Sequence, residues 1–578
     1  MNRYYRAVAI GLLLGLFSVA FIRTAWVAED AYISFRVLDN WLSGAGLVWN
    51  PGERVQVFTH PLWLFLLAPV TWVLHDPFWA CLWLSYPLLL FVVYLLFKAG
   101  EVRPGGASAV LLLLLSSRSF IDYSSSGLEN PLTHALFVSF LWVYWRWEKR
   151  PNQMMVLGVI FALLYLTRPD AVVIVIPAML AIVIGHIRSG RGVYWPLTPG
   201  AALIAAWSAF AFFYFGSVVP NTALAKLGTG QSFAHSAQQA LGGILWLARM
   251  DTLTLTIIAV GIGWALCSRH SAARILGLGM ALWLLYYLSI GGDYMGGRFF
   301  SPVVLVASWI LIDRLQTARF RIAHIWCAVL AVMLVVGLRP YHGFAPVLTE
   351  DEVVSEEVSG GLAATLLAPS DFHDFRIDKS GMADERGFYY RYLGLVPNLF
   401  EPGLRDKSPA ALLGQQAQGV ASTFLACNVG VFGYYARQTI YIIDPLALAD
   451  PFLSRLPSRD GARVGHYERA LPKGYVESQL SGGNQLNDPS LAKLWNLVVD
   501  VTRGDLYSAK RMLAIYELNF HGRDLMRAAA YDRNDLNLPG SEARGRTSFS
   551  CLGQEVGPYI WPIHQTQTGE AVVRLSKP

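Results

Sequence analysis

"MNRYYRAVAIGLLLGLFSVAFIRTAWVA", residues 1–28, decides how the rest of the chain is read. Two arginines precede an apolar run, as in a secretory signal, but no small-residue cleavage site follows and further apolar runs do. The stretch reads as an uncleaved first span, and the chain as a protein built in a bilayer. Composition agrees, since 54% of the 578 residues are hydrophobic and 15% are charged. A soluble domain rarely carries so little charge. The net charge of +6 is spread over short loops, which argues against a nucleic-acid partner.

Working outward from residue 28, apolar runs of bilayer length recur at roughly 7–26, 78–98, 107–122, 130–147, 153–167, 170–187, 195–215, 250–268, 273–290, 299–314 and 321–338. The run 61–75, "PLWLFLLAPVTWVL" and its flank, is too short to span and reads as a juxtamembrane or re-entrant helix. With the N-terminus cytoplasmic, about eleven spans place "KAGEVRPGG", "RWEKR", "HIRSGR", "SRHSAAR" and "DRLQTARFR" all inside, as the positive-inside rule requires. Counting 61–75 as a span would put these basic loops outside.

The predicted fold class is therefore an α-helical polytopic membrane protein, with a transmembrane module over 1–338 and an extracytoplasmic C-terminal domain of mixed α/β type over 339–578. Within the latter, "STFLACNVGVFGYYARQTIYIIDPLALADP" reads as strand, tight glycine turn, strand and loop. "SPAALLGQQA" and "DLYSAKRMLAIYEL" read as helices. The five cysteines show no metal-binding spacing, so no metal site is expected. Cys427 and Cys551 lie in polar sequence and are candidates for a disulfide outside the cytoplasm.

This topology sends Glu29, Asp30, Glu53, Asp122, Glu129, Asp170, Asp251 and Asp293 to the outer face. Distinctive strings accompany them: "AEDAYISFR" (28–36), "NPGERVQVFTHPLW" (50–63), "DYSSSGLENP" (122–131), "TRPDA" (167–171), "VVPNTALAK" (218–226) and "GGDYMGGRFFSP" (291–302). Each has an ordinary structural reading. Asn50-Pro51-Gly52 is a turn, Arg168-Pro169-Asp170 a helix break with a local ion pair, and Glu129 a helix cap. Asp293 and Arg298 can pair across a short loop, and Lys226 can be a solvated lysine. Membrane-edge charges are costly, however, and so many on one face point to a site.

The chemistry they suit is transfer of a sugar from a lipid phosphate. A carboxylate at the outer end of the first span, Asp30, can take the proton of an entering hydroxyl, with Glu29 as its partner. Lys226, Arg298 and Arg168, with Asn221 and Asp293 in the same strings, are candidates for binding the donor and its phosphate. His60, Glu129, Asp170 and His466 are candidate substrate contacts. Asp444, Asp450 and Glu468 are further polar candidates in the C-terminal region, each equally readable as a turn or surface residue. A polyprenyl phosphate is already a stabilised leaving group, so no cofactor is required.

The same strings carry a family resemblance. An acidic pair opening the first outer loop, followed by ten or so spans, resembles the GT-C superfamily of polyprenyl-phosphate-sugar transferases. More narrowly, "EDAYISFR", "NPGERVQVFTHPLW", "SGLENP", "TRPDA", "PNTALAK", "GGDYMGGRFFSP", "GYYARQTIYIIDPLALADPFLSRLP" and "RVGHYERALPKGY" resemble, in order, the AftB family of terminal β-(1→2)-arabinofuranosyltransferases. The resemblance implies a polyprenyl-phosphoryl arabinofuranose donor, inverting transfer, Asp30 as general base, and a bacterial inner-membrane location with the site outside. The acceptor it implies is an arabinan-type glycan or, as in some relatives, a pilin-type protein. The chain has Glu-Asp where an Asp-Asp pair is common, and "FTHPLW" departs from the Thr-Ser form at 59–60. Two alternatives stand beside this reading. One is a GT-C transferase of another lipid-linked sugar, mannose or aminoarabinose. The other is a transporter or flippase, which would usually show two-fold repeats and mid-span breaks.

Overall fold

The computed structural model describes residues 3–101, 104–148, 150–317, 381–535, 560–565 and 571–573. Four of the described helices are long and apolar enough to cross a bilayer: Tyr4–Thr24, Pro77–Ala99, Tyr194–Phe215 and Ser271–Ile290. A fifth span exists if Phe233–Met250 and Thr252–Leu266, bent by 112° at their junction, are taken as one. The chain is a membrane protein. Other apolar runs form shorter helices, including Pro61–Leu74, Pro104–Leu115, Gln153–Thr167 and Ile176–Arg188. The run expected at 107–122 is interrupted at Ser117, whose hydroxyl accepts from Phe120 N and starts a new short helix, Arg118–Asp122. The helix Phe233–Met250 was not anticipated. The run at 321–338 lies outside the described residues.

The chain folds into two compact units, and each interleaves distant sequence. The first comprises 1–28, 60–205 and 236–404. Prolines at the first turn start several of its helices, at Pro61, Pro77 and Pro131, where the missing N–H costs nothing. Its helices approach closely through glycine. A Cβ on Gly279 would lie 1.9 Å from Ile174 O, so only glycine lets Ser271–Ile290 meet that backbone. The bend at Asp251 is built by its carboxylate, which accepts from Ser119 N and Oγ, both at 2.7 Å, and from Thr254 Oγ1 at 2.5 Å. This buried acid is a helix cap.

The second unit comprises 29–59, 206–235 and 405–578. Its four-stranded sheet has the order β2-β1-β3-β4, with β1 Thr423–Ala426, β2 Tyr441–Ile443, β3 Ile560–Gln565 and β4 Ala571–Val573. β1 and β2 are parallel and the other pairs antiparallel. The expected tight glycine turn between β1 and β2 is instead a helix, Gly430–Ala436. Parallel strands need such a crossover, and its glycines admit a neighbour. A Cβ on Gly430 would sit 2.1 Å from Glu29 O, and one on Gly433 3.0 Å from the Trp49 ring.

That neighbour is the helix Glu29–Leu42. Arg36, 2% exposed, fixes it in place by donating to Trp49 O (2.8 Å), Gly433 O (2.6 Å) and Ile440 O (2.7 Å). Asn50 exchanges two hydrogen bonds with Ile442 of β2, at 2.9 and 3.1 Å, so the predicted turn is also a sheet-edge clamp. Cys427 is disulfide-bonded; the partner expected from sequence, Cys551, lies outside the described residues.

Candidate active site

In the first unit, the strings around residues 60, 129, 168 and 298 converge on one carboxylate. Pro131 starts the helix Asn130–Arg146 and leaves Glu129 at its head, 1% exposed. Glu129 does not cap that helix with its side chain. Its Oε1 receives Arg298 Nη2 at 3.1 Å and lies 3.7 Å from Arg168 Nη1, while Oε2 lies 3.2 Å from His60 Nδ1. Burial alone would raise its pKa, but Arg298, His60 and Arg168 outweigh it and hold the carboxyl down to about 2. Burial pushes the His60 imidazole the other way, below its usual value, helped by the two arginines and opposed by Glu129.

Local sequence places each partner. His60 ends an extended segment, and Trp63 three residues on donates to Gly127 O at 3.0 Å, tying "FTHPLW" to "SGLENP". Pro169 follows the last turn of Gln153–Thr167, so Arg168 leaves the helix axis; it pairs with Asp170 at 3.2 Å and lies over the Phe299 ring at 4.4 Å. Arg298 is set by a glycine loop. Its own carbonyl accepts from Asn130 Nδ2 at 3.3 Å, and Gly297, at φ +84°, would put a Cβ 2.4 Å from Ser119 Oγ. Asp293, in the same loop, is 4% exposed, and its Oδ2 has no hydrogen-bond partner among the described residues.

A second charged group in this unit was missed from sequence. Arg118 pairs with Asp122 (3.2 Å) and with Asp384, and Arg386 pairs with Asp122 (2.7 Å). Asp384 also caps the helix Glu385–Leu393 by accepting from Gly387 N at 3.0 Å. Next to it, Ala383 bonds both Tyr294 O (2.8 Å) and Gly296 N (3.0 Å). The segment 382–395 is thus fastened to the loop that carries Asp293 and Arg298. One signal was available: Arg118 stands in an otherwise apolar region behind two serines.

In the second unit, Glu29 opens the helix Glu29–Leu42 with Asp30 beside it in the first turn. Glu29 is buried, and its Oε1 accepts from Gly430 N at 2.5 Å and Val431 N at 3.1 Å. Burial raises its pKa to about 8, with Asp30 adding to the rise and the two N–H groups opposing it. Asp30 is half-buried. Glu29 is the more enclosed of the two.

Six further sequence candidates lie in the second unit. Asn221 is buried, its amide donating to the carbonyls of Ala447 (3.0 Å), Leu448 (2.9 Å) and Asp450 (3.2 Å) and accepting from Ser454 Oγ (2.7 Å). Lys226, half-buried, is close enough to His466 to help depress its pKa, after burial and Arg463. Asp444 and Asp450 each accept two backbone N–H groups within their own loop, and Glu468 is fully buried against Arg459. Burial raises Asp444 to about 6 and Asp450 to about 7. Glu53, 2% exposed, pairs with Arg503 at 3.1 Å and accepts from Tyr441 Oη at 3.2 Å.

No family model matches the chain. Over 543 residues it is 25% identical to the terminal beta-(1->2)-arabinofuranosyltransferase of Mycobacterium tuberculosis, covering 80% of this chain and 85% of that protein. Over 545 residues it is 23% identical to the protein of the same name from Corynebacterium glutamicum, covering 76% and 72%. Among solved structures it overlaps ArnT from Cupriavidus metallidurans bound to undecaprenyl phosphate with a TM-score of 0.43 and 12% identity, over 76% of this chain and 86% of that one. The sequence matches make the chain a homologue of glycosyltransferases named for arabinofuranosyl transfer.

Proposed function

We propose, taking that homology as premise, that the chain transfers arabinofuranose from a polyprenyl-phosphoryl donor to an acceptor outside the cytoplasm, with inversion. The acceptor hydroxyl oxygen attacks the anomeric carbon, the bond from that carbon to the phosphate oxygen breaks, and the lipid phosphate leaves with the bonding pair. Asp30 takes the hydroxyl proton. Glu29, holding its own proton near neutral pH, leaves Asp30 as the base of the pair. Arg168, Arg298 and Lys226 carry the positive charge for the donor phosphate, and Glu129 orients the two arginines. His60, Asp170 and His466 are candidate substrate contacts and Asp293 a candidate donor contact, whereas Asn221 supports the loop before Asp450. The region 339–578 binds the acceptor, an arabinan-type glycan or a pilin-type protein. The Cys427 disulfide is in keeping with an oxidising compartment, and the reading places the protein in the bacterial inner membrane.

The observation that carries this reading is the extent of the likeness, 80% of the chain against an enzyme named for this transfer. The test is transfer by the purified full chain in detergent, from synthetic polyprenyl-phosphoryl arabinofuranose to arabinan or pilin. Asp30→Asn, checked for folding by thermal unfolding, is expected to lower turnover by roughly 10²–10⁴-fold. Undiminished turnover in Asp30→Asn would remove it as the base. Transfer only from a mannosyl or aminoarabinosyl donor would replace the sugar, and no transfer from any lipid-linked sugar would favour a transporter.

A further inference from the structure

The helix Ala509–Phe520 is apolar on two opposite faces. One face, with Ala514, Ile515 and Leu518, packs into the core of the second unit. The other carries Ala509, Met512, Leu513, Tyr516 and Phe520, at i, i+3, i+4, i+7 and i+11, a spacing that makes one stripe. This second stripe is open. Leu513 is 66% exposed, Tyr516 55% and Phe520 67%, and Tyr507 just before the helix is 80% exposed. Clustered exposed apolar side chains mark a contact surface.

What covers the stripe follows from where the helix is anchored. Tyr194–Phe215 is one of the bilayer-length helices, and its last turn holds the helix Ala509–Phe520 directly. Arg511 Nη2 donates to Tyr214 O at 2.9 Å, Asn519 Nδ2 donates to Gly216 O at 2.8 Å, and the rings of Phe213 and Tyr507 lie 5.8 Å apart. Gly216 ends the span at φ +79°, where a Cβ would meet Val501 at 2.2 Å. The span's own outward side chains in this stretch, Phe210 and Phe212, are exposed in the same way. An apolar stripe fastened to the end of a spanning helix lies at bilayer-surface depth. Its aromatic content and the exposed Arg523 and Arg527 just beyond it are what the headgroup layer favours.

We propose that the helix Ala509–Phe520 is an interfacial helix, lying in the headgroup layer of the bilayer that the chain spans, with Leu513, Tyr516 and Phe520 toward the acyl chains. The phospholipid leaflet is its partner, whatever reaction the protein catalyses. It acts as a second attachment that fixes the second unit against the membrane surface.

The test uses the full chain in phosphatidylethanolamine/phosphatidylglycerol nanodiscs, with unpaired native cysteines changed to serine. Single nitroxide labels go at Leu513→Cys, Tyr516→Cys and Phe520→Cys, and at Lys493→Cys and Lys510→Cys as water-facing controls. Collision with oxygen, which concentrates among acyl chains, and with a water-soluble nickel chelate is then measured. Labels at 513, 516 and 520 should gain oxygen and lose nickel collisions severalfold relative to 493 and 510. Full nickel accessibility at all three would overturn the proposal. Protection from both reagents would also overturn it, showing a protein surface, such as a second copy, on the stripe.

Discussion

Glu29 and Glu129 are both buried acids at the head of a helix, each within its own unit, and their surroundings push them in opposite directions. Burial acts upward on both. Glu29 is met by two backbone N–H groups, with Asp30 and Asp444 nearby, and rises to about 8. Glu129 is met by Arg298, His60 and Arg168 and falls to about 2. The depth of burial does not decide the charge of a carboxyl; the kind of partner does. Neutral dipoles around Glu29 leave a carboxyl that keeps its proton near neutral pH. Two guanidinium groups around Glu129 make a permanent anion, and they depend on it in turn.

The largest effect that follows is at Glu129. Glu129→Gln keeps the shape but removes the buried charge that Arg298 and Arg168 share, Arg168 retaining Asp170. That is expected to cost about 3–5 kcal/mol, read as a large fall in unfolding temperature in detergent, with donor turnover lost alongside. The wild-type contribution also has a pH signature. Because the folded pKa lies below the ordinary 4.5, this stability is present above about pH 4.5 and lost as pH falls through about 2. Glu129→Gln should lack that acid-side loss. A variant as stable as wild type would mean that the arginines are satisfied elsewhere.

Asp384 tests the middle of the comparison, since it has a partner of each kind. It accepts from Gly387 N and pairs with Arg118. Burial would raise its pKa, but Arg118 and Arg386 outweigh that and hold it below the usual range. Asp384→Asn keeps the cap and loses the charge, while Arg118 retains Asp122. A loss of about 1–3 kcal/mol is expected, smaller than at Glu129, together with a raised KM if the loop carrying Arg298 loosens. Asp384→Glu should restore part of both. A loss as large as that of Glu129→Gln would show that charge outweighs the number of remaining partners.

How much of this was legible follows from the distance between partners. The strings holding His60, Glu129, Arg168 and Arg298 were each odd for a membrane edge, and common placement on one face pointed to the cluster without its geometry. The Arg118–Asp122–Asp384–Arg386 group was not legible. Its ion pair from residue 118 to 384 crosses the boundary drawn at 338, where hydropathy falls, and hydropathy does not report ion pairs. The partner of Glu29 was hidden for another reason. "NVGVFG" reads as a turn because glycine favours turns, but at 430 and 433 glycine serves close approach, to Glu29 and to Trp49. Periodicity found the helix Ala509–Phe520, and burial alone shows that one of its apolar stripes faces outward. The bend at Asp251 was missed because the helix before it, Phe233–Met250, is too mixed in polarity to stand out as an apolar run.

The smallest effect should come from Glu29→Gln, and its pH dependence is sharper than its size. A carboxyl that keeps its proton is closely imitated by an amide, so at about pH 4.5, where the wild-type contribution is full, the variant should stay within about 1 kcal/mol of wild type. Because the folded pKa is raised above 4.5, the wild-type contribution is full below about pH 4.5. It is lost as pH rises through about 8, at no more than about 1.4 kcal/mol per pH unit. Chemical denaturation from pH 5 to 8.5 should show that decline in wild type and a flatter line in Glu29→Gln. Glu29→Ala, which leaves the N–H groups of Gly430 and Val431 unmet, should cost about 1–3 kcal/mol relative to Glu29→Gln at every pH. The same slope in wild type and Glu29→Gln would assign the proton to another group and bring Glu29 closer to Glu129 in kind. A flat Glu29→Gln line with transfer preserved would separate the two carboxyls fully, one holding a helix as a neutral group and the other holding two arginines as an anion.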